Sequence, residues 1–392
     1  MKGRNDGDDI VLSKFSGKVG NLVDAGRNAC HIILRVIMPR IQHLTLAIVF
    51  AALPTIALAW NAQGHQEVGA VADHLIAGSH AEQWVKYLLG KQTLQTVSVW
   101  ADCARGVKSI DGKPPAYQDN PQYAECAPFS GPEGAKRFES FAVRNWKQCG
   151  SAHGADFCHT HYHYTDISNL HDHYQAGYVG ANNDDVVHAI TAAIAVLRGQ
   201  AAPAPFDFAD KQEALMLLAH YVGDIHQPLH VAALYLDADG KVVDPDIVGY
   251  KIGDDTAGGN NIIDGNKLFH AEWDAPPSTP HTFDDQVAVL LKSAKQIKPT
   301  GGDLAGWSTA WANDSIQVSP PVFAGLRFTM KPAASAHPEN LPEKWDVAGI
   351  DAGYQSRADA IKMQQLAKAG ARLAQLLEAI WPDSQALPPV PK

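Results

Sequence analysis

Apolar residues recur at helical spacing along most of the chain from residue 60 onward. Asn61 is placed to cap a helix with Val68, Val71, Ala72 and Leu75 on one face. Asp184-Asp185 opens another, with Val187, Ile190, Ile194 and Leu197 inward and Gly199 as its stop. Asp210-Lys-Gln-Glu213 reads as a capping box ahead of Leu215, Leu218 and Val222. Phe283 to Ile297 and Tyr354 to Ile380 are two further amphipathic stretches. The second ends at Pro382, and the Pro-rich tail beyond it, 383–392, is expected to be loose. One hairpin signal interrupts the helices, Asp239-Gly240 between Tyr235-Leu236 and Val242-Val243. No repeat and no long linker divides the pattern. It predicts a mainly α fold, one helical domain over 60–382 with a short β-hairpin.

The first 59 residues read differently. The apolar run Leu44 to Ala59 follows Arg40 and His43 and ends in Ala57-Leu58-Ala59, a small-x-small pattern. Its 16 residues, with Pro54 inside, are short for a membrane span. Residues 38–59 therefore read as a signal peptide cleaved between Ala59 and Trp60, with Met38 as the start and 1–37 as an upstream extension. The protein is expected to be secreted or periplasmic, with no stable membrane association after cleavage. Export permits disulfides. Cys30 lies in the removed segment, which leaves Cys103, Cys126, Cys149 and Cys158 and three possible connectivities. The spacing favours Cys103–Cys126 and Cys149–Cys158. No Cys-x-x-Cys pair suggests a zinc ribbon.

Composition narrows the function. At 46% hydrophobic and 19% charged residues, the 392-residue chain is too apolar to be disordered. Its net charge is −10, and residues 1–59 hold 7 basic and 4 acidic residues, so the remainder stands at −13. Such a chain does not coat nucleic acid through Lys/Arg–phosphate pairing, although metal-assisted cleavage stays open.

The 18 histidines supply the candidate chemistry. His220-x-x-x-Asp224 shares one helix face, Pro228 breaks that helix, and His230 follows from a new direction within GDIHQPLH, 223–230. A second pair four residues apart is His270 and Asp274 in LFHAEWD. A third cluster is HTHYHYTD, 159–166. Asp102 follows Val99-Trp100-Ala101, and His65 lies five residues after Trp60. Together these offer nitrogen and oxygen ligands and no thiolate, which suits zinc in a hydrolytic site. On a helix His226 points away from His220 and His230, so it reads as a supporting or surface residue. His159 and His161 read as neighbours of the site, and His188, His281 and His337 have no partner nearby in sequence.

The set resembles the zinc-dependent single-strand-specific nucleases of the S1/P1 type and the plant bifunctional nucleases, a superfamily shared with zinc phospholipases C. The resemblance runs from Trp60 to about Trp381. It rests on WNAQGH (60–65), WAD (100–102), HYTD (163–166), GDIHQPLH, GGNN (258–261), LFHAEWD (268–274) and WANDS (311–315). It implies the nuclease fold and three zinc ions. One would be held by Asp102, His163, His220 and Asp224. A second would be held by the amino nitrogen and carbonyl oxygen of Trp60, with His65 and a shared Asp224. A third would be held by His230, His270 and Asp274. It also implies that Asp102 orients the nucleophile, Arg105 meets the phosphate, Tyr164 stacks a base and Asp166 hydrogen-bonds it.

The expected function is a monomeric endonuclease releasing 5′-nucleotides from single-stranded DNA and RNA, with 3′-nucleotidase activity as a possible addition. A zinc phospholipase C and a non-catalytic zinc-binding protein are the alternatives. HYTD favours the nuclease over the lipase, as does the absence of an evident exposed apolar docking stretch. The chain departs from the fungal pattern in the 60 residues between Asp102 and His163, an insertion at 103–162 that carries the cysteines. It must fold back for Asp102 and His163 to meet, disulfides would assist it, and it could wall the cleft.

Overall fold

The computed structural model describes residues 60–109, 114–146, 158–277, 282–330 and 345–388. The signal-peptide segment, Cys149, His281 and His337 lie outside them, and with Cys149 the expected Cys149–Cys158 bridge.

Helices dominate, and local capping sets their starts. Asn61 caps α1 (Ala62–Leu75), its side chain accepting from the Gly64 amide at 3.1 Å. Ser79 and Thr93 cap α2 (His80–Leu89) and α3 (Leu94–Val97), and α4 spans Trp100–Ala104. Gly131 precedes α5 (Pro132–Arg144). Asp185 caps α6 (Val186–Leu197), and Gly199 follows at φ +83°, a conformation that ends a helix cheaply only with glycine. Asp210 accepts from the Glu213 amide at 2.7 Å to start α7 (Lys211–Asp224). The remaining helices are α8 (Pro245–Val248), α9 (Phe269–Asp274), α10 (Phe283–Ala294), α11 (Trp307–Val318), α12 (Pro320–Phe323) and α13 (Tyr354–Ile380).

Helix α7 is apolar around its circumference, and every residue from Glu213 to Asp224 is buried. It packs on α1 and α6, while α13 covers α1, α7 and α10. A second hydrophobic cluster around Phe269, Trp273, Trp345 and Tyr354 backs α9. The hairpin signal appears as the bridge Leu236↔Val242 with Gly240 at φ +74°. Strands beyond that signal also form. β1 (Val107–Lys108) pairs with β2 (Ala116–Tyr117), and β3 (Ile167–Ser168) runs parallel to β4 (Ala232–Ala233). A four-stranded sheet follows the order β6 (Lys267–Leu268), β5 (Ile262–Asp264), β8 (Trp345–Gly349), β7 (Arg327–Met330). These strands are too short to show a period of their own, and pairing across distant segments makes them.

The insertion is built into the core. Phe138 and Phe141 of α5 are buried against Trp100, ring centroids 5.1 and 5.2 Å away. Arg144 donates to Glu213 at 2.6 Å, fixing α5 to the start of α7. Cys103 and Cys126 form the expected disulfide beside Asp102. The start of the Pro-rich tail touches α2: the His80 amide donates to Asp383 at 3.2 Å, and the His80 ring meets the Gln385 carbonyl at 3.1 Å.

Glu67 is a buried carboxyl in α1, bonded on one oxygen to Gln63 at 2.7 Å. Burial pushes it up to about 7. A raised acid contributes fully below its unfolded value of about 4.5 and loses that contribution as pH climbs through about 7. Glu67→Gln should therefore leave the Tm unchanged near pH 5 and raise it by several degrees at pH 8. The underlying effect is about 3 kcal/mol. Thermal denaturation at the two pH values checks this; equal effects at both would mean that the carboxyl does not titrate in this window.

Candidate metal centre

Six pieces of the chain deliver charged and imidazole side chains to one buried point. Helix α7 supplies His220 and Asp224 one turn apart. Pro228 then begins a single turn, Pro228–His230, that swings His230 back toward them. The β3–β4 pairing lays the segment after His163 along the segment after His230: the Thr165 amide donates to the His230 carbonyl at 2.8 Å. Helices α1, α4 and α9 bring His65, Asp102 and the pair His270 and Asp274.

Three ligand clusters result among the described residues: His65, Asp102 and His220; His163, His220 and Asp224; and His230, His270 and Asp274. Asp224 Oδ2 lies 3.0 Å from His163 Nδ1 and 3.2 Å from His220 Nε2, with Asp102 Oδ1 3.7 Å from the latter. The other oxygen of Asp224 faces His65 Nε2 at 3.3 Å. His230 Nε2 and His270 Nε2 stand 3.1 Å apart, with Asp274 Oδ2 3.5 Å from His270. Trp60 is clamped alongside: its indole donates to the Gly223 carbonyl at 3.0 Å, and the next amide, Asn61, donates to the Asp274 carbonyl at 2.9 Å.

The histidine tautomers explain why such a cluster calls for cations. His220, His230 and His270 each direct Nδ1 to a backbone carbonyl, of Ser98, His163 and Gly258, at 2.6, 2.8 and 2.7 Å. An Nδ1–H in that bond leaves Nε2 as a bare lone pair, the arrangement of a metal-ligating imidazole. Those lone pairs point at each other and at carboxylates. Among the described residues, the Oδ1 atoms of Asp102 and Asp224 and Oδ2 of Asp274 are buried with no hydrogen-bond partner, as are both ring nitrogens of His65. Burial costs of this kind are offset when a cation sits between the donors. Burial also keeps His65, His163, His230 and His270 neutral, driving His163 down to about 4 and His270 to about 3, whereas for His220 the carboxylates of Asp224 and Asp102 outweigh burial and raise it. For Asp224 burial works the other way, but His220 and its other imidazole neighbours outweigh it and hold the carboxylate well below its usual range. The donor set of imidazoles and carboxylates fits zinc.

Supporting residues surround the centre. Gln227 donates to Asp274 Oδ1 at 2.7 Å and accepts from the Leu229 amide, fixing one ligand against the loop that carries another. Lys362 of α13, buried, donates to the carbonyls of Glu272 and Ala275 at 2.6 and 2.9 Å, capping the end of α9. Burial drives its amine down to about 8. A Cβ at Gly223 would stand 2.7 Å from His65 Nδ1, so only glycine there lets the ring lie against α7. Gly258, at φ +57°, turns its carbonyl to His270.

Every candidate named from the sequence falls in this region. Arg105 Nη1 is 3.6 Å from Asp102 Oδ1, with the side chain a quarter exposed. Tyr164 and Asp166 are half-buried. Asp166 neighbours Gly258, and burial, reinforced by Asp255, raises its carboxyl well above the usual range. His226 is not at the surface: it is fully buried, Nδ1 on the Val222 carbonyl and Nε2 2.8 Å from Arg372. His159 and His161 stay outside the ligand clusters, the latter 3.5 Å from Asp184. His188 meets its own helix cap, Asp185, at 2.8 Å.

The family model described as S1/P1 Nuclease matches residues 60–382. Nuclease S1 of Aspergillus oryzae is similar at 22% identity over 357 residues, covering 88% of this chain and 98% of that protein. Endonuclease 1 of Arabidopsis thaliana is 25% identical over 187 residues, 45% of this chain, and the match spans about half of that protein (52%).

Proposed function

The chain belongs to the S1/P1 nuclease family, and we propose that it is an exported zinc enzyme that hydrolyses single-stranded DNA and RNA to 5′-nucleotides. The facing, backbone-oriented imidazoles of His220, His230 and His270 carry the metal part of this reading. Three zinc ions are assigned: one to Asp102, His163, His220 and Asp224, one to Trp60, His65 and Asp224, and one to His230, His270 and Asp274. Zinc held there supplies Lewis-acid stabilisation and lowers the pKa of water toward about 7.

The chain's own groups do the rest. Asp102 accepts a hydrogen bond from the O–H of the nucleophile and so orients it. The Arg105 guanidinium, anchored beside Asp102, stabilises charge growing on the phosphate. Tyr164 offers a face for an unstacked base, an interaction of about 1–3 kcal/mol that is closed to duplex DNA. Asp166, beside Asp255 and half-buried, hydrogen-bonds the base edge. The same site would accept a 3′-phosphate. The acidic remainder of the molecule favours product release, while the metal cluster keeps the cleft locally positive.

One observation favours a second reading, a phospholipase C. Ile247, Val248, Tyr250 and Ile252 form an exposed apolar segment, Ile247 at 81%, contrary to the sequence-based expectation. The Tyr250 hydroxyl reaches Asp255, the acidic neighbour of Asp166. The test is mononucleotide release from single-stranded DNA by the chain beginning at Trp60, with and without a zinc chelator, alongside phosphatidylcholine vesicles. Release abolished by chelator and restored by zinc supports the nuclease. A zinc-loaded protein that leaves DNA intact but cleaves the lipid overturns it in favour of the second reading.

A further inference from the structure

Among the described residues, one more group of metal-ligating side chains converges outside the centre: His171, Asp244 and Asp246. Two segments more than 70 positions apart meet there. His171 Nε2 is 2.9 Å from Asp246 Oδ2 and 3.6 Å from Asp244 Oδ1. Ligands about 2.0–2.2 Å from a tetrahedral zinc stand about 3.3–3.6 Å apart, so these separations bracket the spacing a shared ion imposes. They lie just to either side of the 3.0–3.5 Å separations inside the central clusters.

The side chains are held in place before any ion arrives. The His171 ring stacks on Tyr178, centroids 3.9 Å apart and planes 8° from parallel. Asp244 Oδ1 accepts from the Asp246 amide, and Asp246 Oδ1 accepts from the Val179 amide, both at 2.9 Å. That leaves Asp246 Oδ2 directed at the imidazole. All three side chains are largely covered, between 14 and 20% exposed, yet reachable from solvent. One imidazole with two carboxylates selects a borderline transition ion over calcium or magnesium, which prefer oxygen alone.

We propose that His171, Asp244 and Asp246 form a separate zinc-class site that staples the 244–252 segment to the 168–180 loop. Water completes the coordination. The ion is structural: it fixes the base of the exposed segment Ile247–Ile252. This inference does not depend on the substrate assigned above.

The test uses the chain beginning at Trp60, saturated with zinc alone, freed of excess metal and analysed for bound zinc. His171→Ala should lose one equivalent relative to the unsubstituted protein, and Asp244→Asn/Asp246→Asn should lose the same equivalent by a different route. Zinc should also slow proteolysis within Ile247–Ile252 in the unsubstituted protein and not in either variant. Asp224→Asn should keep this protection, which separates the peripheral ion from the central ones. Equal zinc content in the unsubstituted protein and both variants overturns the proposal, as does a lowered Tm with unchanged zinc content, which would mark the cluster as an ion pair. Absence of DNA cleavage by the unsubstituted protein with the extra equivalent bound would count against the nuclease reading alone.

Discussion

Asp224→Asn strips metal from two positions at once and lowers kcat/KM for single-stranded DNA by about 10³-fold or more, above 4 kcal/mol of transition-state stabilisation. The reason is geometric. Oδ2 of Asp224 lies within 3.2 Å of both His163 and His220, while Oδ1 faces His65 at 3.3 Å. The residue is fully buried, and Oδ1 has no hydrogen-bond partner to take over if a cation leaves. Asparagine keeps the shape but removes the charge, and it turns an N–H toward at least one imidazole lone pair. Metal binding to buried imidazoles then lacks its counter-charge on both sides of the carboxyl. Metal analysis of the purified variant should find about two zinc ions fewer, with the His230–His270–Asp274 position still filled. Retention of the full complement would mean that Asp224 does not bridge, and the assignment of the first two ions would fall.

What the sequence revealed and what it concealed divide along range. Helix starts were legible because Asn61, Asp185 and Asp210 each act on the amide three residues on. The pairs His220/Asp224 and His270/Asp274 were legible for the same reason, one helical turn. Asp102 and His163 could be joined to them only through family resemblance, because 60 residues of insertion separate the two. The sheet order β6-β5-β8-β7 was not legible: β8 pairs in parallel with β5 from more than 80 positions away, through two register partners. Gln227 and Lys362 escaped notice because their value lies wholly in distant contacts, Gln227 with Asp274 and Lys362 with the last carbonyls of α9. His226, whose angle on the helix turns it from His220 and His230, lies outside the ligand clusters. Its burial against Arg372 depends on α13, which begins more than 120 positions later. The contacts of Asp383 and Gln385 with α2 make the same point, since their partner, His80, lies far away in sequence.

A chain that carries one extra residue ahead of Trp60 should bind about one zinc ion fewer and lose about 10²-fold in activity. Trp60 is fixed between the two halves of the centre. Its indole is tied to the carbonyl of Gly223, the residue before Asp224, and the adjoining Asn61 amide is tied to the carbonyl of Asp274. A Cβ at Gly64 would stand 2.9 Å from the Trp60 Cβ, so glycine there leaves Trp60 the space it occupies. A free α-amino group has an ordinary pKa of about 7.7–8.0, and it yields a neutral nitrogen donor once a nearby cation displaces its proton. An amide nitrogen in the same place has its lone pair delocalised into the carbonyl and donates nothing. Extension therefore removes a ligand without removing a side chain. A folding defect is separable from this effect, because trimming the added residue with an aminopeptidase should restore both zinc and activity to the same preparation. If the extended chain instead holds its full zinc and cleaves DNA at the original rate, the amino terminus is not a ligand. Removal of the signal segment would then have no part in assembling the centre. If zinc and activity do return on trimming, the proposed cleavage after Ala59 also completes the metal site, and the enzyme stays inactive until it has been exported.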